Sequence, residues 1–183
     1  TGDAILLYSS DSNTITNTTG ISTSGYGIDF YASSSNTITN SSFRSTSSSD
    51  IYSAGGSGPN TFINSTFNRS NIGWGAGVNN LSVMWFPDVK VIYSDGTLCS
   101  RCSVNATNTT HGAAQYNLTT DASGYIRMLN LTEFIANGSF AYNGINKTNV
   151  TFFTPHNFTA TKFSGFGTNT TPVNESNEVV VML

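Results

Sequence analysis

"AILLYSSDSNTITNTTGISTSGY" (residues 4–26) runs directly into "GIDFYASSSNTITNSSFRSTSSS" (27–49), and the two align without a gap at a step of 23. A third unit opens at Asp50, takes one extra residue in "SAGGSGPN" (53–60), and continues "NTFINSTF" (60–67). Equivalent positions then fall into columns: Ile5, Ile28 and Ile51; Ile15, Ile38 and Phe62; Leu7 and Phe30; Phe43 and Phe67. A period of about two dozen residues marks a unit that cannot bury its apolar side alone and stacks on copies of itself. Short β-branched and aromatic runs between Ser/Gly/Asn turns make that unit a β-coil, each coil about 4.8 Å above the last. Leucine-rich repeats share the period, but their Leu-X-X-Leu-X-Leu phrase is absent.

Asparagine repeats with the same step. Asn13, Asn36 and Asn60 form one column, and Asn17, Asn40 and Asn64 another. In "NTITN" the Ile and both Asn share parity, so alternation predicts that all three point to one side. Amides stacked at the coil spacing form ladders, which predicts an Asn ladder at all six positions.

"DSNTITNTTGIS", "GIDFYASSSNTITNSSF" and "PNTFINSTF" resemble the parallel β-helix repeats of the NosD-like and carbohydrate-binding/sugar-hydrolase family. The resemblance covers about 80 residues and implies the fold more than an activity, because lyases, hydrolases, copper-delivery proteins and inert stalks share it. "NIGWGAGVNNLSVMWFPDVK" (71–90) reads as a degenerate last coil, with Trp74 and Trp85 available to cover the end of the stack.

After Pro87 the rhythm changes. "DVKVIYSDGTLCSRCSVNAT" predicts strand, Asp-Gly turn, strand; "YNLTTDASGYIRMLNLTEF", "NVTFFTPHNFTATKF" and "NEVVVML" add further short strands. This order resembles the Ig-like modules of carboxypeptidase-regulatory and Cna-B type, which act as spacers in surface proteins. Some of those modules carry a Lys–Asn isopeptide bond. Lys90 and Asn177 sit on the first strand and before the last, but no Glu matches, so no such bond is expected here. The expected architecture is all-β: a short right-handed parallel β-helix of about three to four coils over 1–85, then an Ig-like β-sandwich over 86–183.

Composition limits the function. Only 9% of residues are charged and the net charge is −3, which argues against nucleic acid. No stretch of about 20 apolar residues exists to span a bilayer. Of 22 asparagines, 15 lie in Asn-X-Ser/Thr sequons, whereas random placement of the 52 Ser and Thr gives about 6. The excess predicts an exported, N-glycosylated surface protein, in which sugars supply the hydration that charge does not. Asn17, Asn40 and Asn64 are read as ladder residues. The predicted glycan carriers are Asn68, Asn80, Asn105, Asn108, Asn117, Asn130, Asn137, Asn146, Asn149, Asn157, Asn169 and Asn174.

Little points to catalysis. Asp3, Asp11, Asp29, Arg44, Asp50 and Arg69 share no stacked position, so no catalytic constellation, metal site or cofactor is expected. Cys99 and Cys102 lack the βαβ context of a redox motif, and only His111 and His156 remain as partners for a zinc site. A structural disulfide between the two cysteines is expected instead. Met84, Met128 and Met182 are scattered, which disfavours copper delivery. The chain enters its first strand at once and stops within its last, so either it is a fragment whose neighbours cover these ends or its bare β edges invite other chains. These features predict a structural subunit of a glycosylated extracellular filament, sheath or surface layer, partnered head-to-tail with copies of itself. A carbohydrate-binding or adhesion module presenting Tyr8, Tyr31 and Tyr52 is the alternative, and a β-helix lyase or hydrolase the remote one.

Overall fold

A computed structural model describes residues 2–110, 114–140 and 146–183. Among these residues the regular structure is all strand. The chain divides into two compact units: Thr1–Val83 with Ile135–Thr151, and Met84–Phe134 with Phe152–Leu183.

The first unit is a β-solenoid of about three turns. Its opening coil holds β1 (Ile5–Tyr8), β2 (Thr14–Thr16) and β3 (Thr19–Ser22). The second holds β4 (Ile28–Tyr31), β5 (Thr37–Thr39) and β6 (Ser42–Ser45). The third keeps β7 (Ile51–Ala54) and β8 (Asn60–Ile63), and the degenerate coil that follows supplies β9 (Ile72–Trp74) and β10 (Asn79–Trp85). Pairing is parallel and in register with the repeat: Ile5 faces Ile28, Ile28 faces Ile51, Ile15 faces Ile38, and Ile38 faces Phe62.

Inside, Ile28, Ile38, Ile51 and Phe62 are wholly buried, and Phe30 and Phe43 nearly so. Each such side chain contributes about 1.5–3 kcal/mol over its exposed state. Phe62 meets the rings of Phe30 and Phe43 edge-on, at interplanar angles of 87° and 85°. The core is thereby locked across the solenoid as well as along it. Trp74 closes the lower end against Gly138, where a Cβ would lie 2.0 Å from the indole.

One sheet of the solenoid takes in strands that lack the repeat. Its order is β16-β15-β10-β8-β5-β2, with β15 spanning Leu131–Phe140 and β16 spanning Asn146–Phe152.

The second unit contains two further sheets. One places β11 (Asp88–Ile92) between β14 (Tyr125–Ile126) and β19 (Glu178–Met182). The other has the order β13-β12-β17-β18, from Ala114–Thr119, Ser103–Asn108, His156–Lys162 and Gly165–Thr171. Val89, Val91, Val179 and Val181 alternate with exposed or half-buried neighbours, as do Val104, Ala106, Phe158 and Ala160. The Asp-Gly phrase predicts two paired strands. The turn forms, with Tyr93 N–H donating to Thr97 O at 2.8 Å, but its return arm is the single Ile92–Leu98 bridge. β11 instead pairs in parallel with β19, Val89 facing Val179. Trp85, expected to cap the solenoid, belongs to this unit and donates from Nε1 to Glu133 Oε2 at 2.7 Å.

Candidate functional site

Three columns of polar side chains run up the solenoid. In the first, Asn36 Oδ1 accepts from Asn13 N and Nδ2, and Asn60 Oδ1 accepts from Asn36 N and Nδ2, all within 3.0 Å. Asn36 and Asn60 are 1% exposed, so both amides are spent inside the wall. The second joins Ser10 N to Ser33 Oγ and Ser33 N to Ser57 Oγ; the third joins Thr18 N to Ser41 Oγ and Ser41 N to Ser65 Oγ. These hydroxyl columns escape a reading based on Asn alone. Their signal is the same 23- and 24-residue step.

Asn17, Asn40 and Asn64 behave differently. All three have positive φ, between 47° and 54°, a region that Asn tolerates better than most residues. The left-handed turn breaks the alternation, so Asn40 is exposed although Ile38, two residues earlier, is buried. Asn64 Nδ2 donates to Asn40 Oδ1 at 2.7 Å on the outside of the corner.

The coil carboxylates serve the backbone. Asp50 Oδ1 accepts from Ser45 N and Asn71 Nδ2, and its Oδ2 accepts from Asn68 N, at 2.8–3.0 Å. It stands at the edge of β6 where the third coil contributes only the Ser42–Thr66 bridge. Asp11 and Asp3 accept from Ser34 N and Tyr26 N. Asp29, 9% exposed, is raised to about 6, first by burial and then by the charge of Asp3.

Asp29 sits on the outer side of the sheet β1-β4-β7-β9, beside a set of tyrosines. There Tyr8 stacks on Tyr31 with ring centroids 5.1 Å apart, and Tyr26 on Tyr52 at 4.1 Å, each pair within 2° of parallel. Tyr8 and Tyr31 are exposed and Tyr26 and Tyr52 half-buried. Burial raises the Tyr52 hydroxyl first, then its neighbours Tyr26 and Asp29. The arrangement offers aromatic surface and hydrogen-bonding groups, without a paired acid and base.

The sequons spread over both units. Asn68, Asn117, Asn149 and Asn174 are exposed; Asn80, Asn105, Asn130, Asn137, Asn157 and Asn169 are half-buried. Asn80 Nδ2 donates to Asn137 Oδ1, and Asn157 Oδ1 accepts from Thr168 and Thr170. Asn108 is 1% exposed and accepts from Thr110 N. The side chain of Asn146 and the whole of His111 lie outside the described residues. Cys99 and Cys102 are buried with Cα atoms 5.8 Å apart, within the span of a bridge. Lys90 Nζ lies 4.0 Å from Glu178 Oε1.

Residues 1–98 match the protein family described as periplasmic copper-binding protein (NosD). No curated protein matches the chain.

Proposed function

The chain belongs to the NosD family of β-solenoid proteins, and on that premise we propose that it is a structural module of the extracytoplasmic surface. In this reading it is a subunit of an N-glycosylated filament, sheath or layer, with an Ig-like second half as spacer and a Cys99–Cys102 disulfide. It is not an enzyme. The observation that carries the proposal is the periodic joint between coils: Asn13, Asn36 and Asn60, and the serine columns through Ser33 and Ser41, repeat the same hydrogen bonds at each step. A stack built from such interchangeable joints suits a structural element extended by further coils, in line with head-to-tail assembly of copies. Negative-stain imaging and sedimentation of native material test this: polymers are expected, and a strict monomer overturns it.

Copper is the ligand in the family's description, and the donors here do not fit it. Met84 lies on β10, Met128 in a left-handed turn and Met182 on β19. Among the described residues no three of His, Cys, Asp and Glu gather at one place. His156 is wholly buried, which holds its imidazole down to about 4. No copper chemistry is carried over to this chain.

A second reading, glycan binding, is favoured by the paired tyrosine stacks, since sugar rings pack on aromatic faces and their hydroxyls seek acceptors such as Asp29. A glycan array with Tyr8→Ser and Tyr31→Ser separates the two readings. Selective binding lost in the variants supports adhesion, and a silent array leaves the structural role alone.

A further inference from the structure

The turn between β17 and β18 carries its largest side chain at its least suitable position. Lys162 pairs with Gly165, leaving Phe163 and Ser164 as a two-residue loop. Phe163 has φ 51° and is 96% exposed. Tight hairpin loops give such conformations to Gly, Asn or Asp, and a bulky residue there is a genuine outlier. Strain held without any packing in return marks a functional position.

Other exposed apolar side chains stand on the strands beside this hairpin. Phe166 is 66% exposed, Met182 55% and Leu98 46%. Contacts within the unit tie them together. Gly165 approaches Leu183, Leu183 N donates to Ile92 O, and Ile92 bridges Leu98. Exposed apolar side chains that gather on one end of a fold mark contact surfaces. Two cations flank the cluster: Lys162, whose Nζ is 5.7 Å from the Phe163 ring and donates to Ser100 O, and the exposed Arg101. Asp95, in the turn between Ile92 and Leu98, and Glu178, at the far end of β19 from Met182, are acidic residues on the same strands and turns.

We propose that this end of the second unit, with Phe163 at its apex, seats on an anionic lipid surface. A convex finger with an uncovered ring suits a deformable apolar medium better than a preformed protein pocket. The flanking Lys162 and Arg101 complement acidic headgroups. The proposal is independent of assembly through the solenoid, and it requires no spanning segment.

The test uses the full chain, with vesicles of phosphatidylcholine alone and with one quarter phosphatidylglycerol, in a sedimentation assay. Binding to the anionic vesicles is expected, weakening with added salt. Phe163→Asn suits the left-handed turn better than Phe, so it should keep or raise the melting temperature. Loss of ring burial should at the same time weaken binding by about tenfold or more. Phe166→Ser should weaken it too. No vesicle binding by the wild-type chain overturns the proposal, as does equal binding by Phe163→Asn. Self-association lost in Phe163→Asn, without vesicle binding, assigns the surface to a protein contact instead and also overturns it.

Discussion

Asn36 takes two hydrogen bonds from a single residue: the backbone N–H of Asn13 at 2.8 Å and its Nδ2 at 2.9 Å. Because Asn36 repeats the arrangement on Asn60, one side chain joins three coils. Asn36→Ala removes the acceptor of both Asn13 donors and the Nδ2 bonds to Asn60 Oδ1 and Ser10 O, a loss of about 2–4 kcal/mol. Asn40→Gly, at an exposed left-handed corner, should change stability by less than about 1 kcal/mol. Equilibrium denaturation of the two variants checks the contrast, and equal effects would contradict the buried ladder.

Gly138 faces the Trp74 indole too closely for any side chain. Gly138→Ala must displace the ring or β15, with an expected cost of about 2 kcal/mol or more. A red shift and gain of quenching in tryptophan emission should accompany it. Trp85 reports from the other unit, so Trp85→Phe serves as the background for the measurement.

Two buried groups give the units opposite acid responses. Asp29 is raised from 3.8 to about 6, so between those values the folded chain binds more protons than the unfolded one. Its ionisation therefore removes stability as pH rises from about 4 to about 6, by ~3 kcal/mol at most. His156 is lowered from 6.5 to about 4 by burial, so it removes stability as pH falls through that window. Asp29→Asn should stabilise the solenoid at pH 7 and flatten its acid slope. Hydrogen exchange at pH 4.5 and 7, followed separately in the two units, checks both signs.

Glycopeptide mapping of native material should find sugars at the exposed Asn68, Asn117, Asn149 and Asn174 and none at the buried Asn108. Modification requires a side chain that stands at the surface with room for a bulky sugar. Unmodified peptide at all four exposed sites would remove the glycoprotein part of the functional reading.

The solenoid was legible because its cause is local and repeated. A step of 23 aligns Ile5 with Ile28 and Ile28 with Ile51, and the same pairs form the parallel sheet. Alternation failed at Asn40, where a left-handed residue rotates the side chain outward. The entry of β15 and β16 into the solenoid sheet was hidden, since neither strand carries the repeat. The same holds for β11 and β19, whose partners lie far apart along the chain and leave no adjacent turn to announce the pairing. At the tyrosine surface the column Tyr8–Tyr31 follows the step, while Tyr26 and Tyr52 stack across a different offset.

The polar columns also bear on how such a protein changes size. Each coil presents to the next the same pattern of amide and hydroxyl atoms that it receives. A tandem duplication of one unit therefore lengthens the molecule by a fixed increment and leaves the joint chemically unchanged. Unequal recombination between the two "SNTITN" segments is then a ready route to shorter and taller descendants.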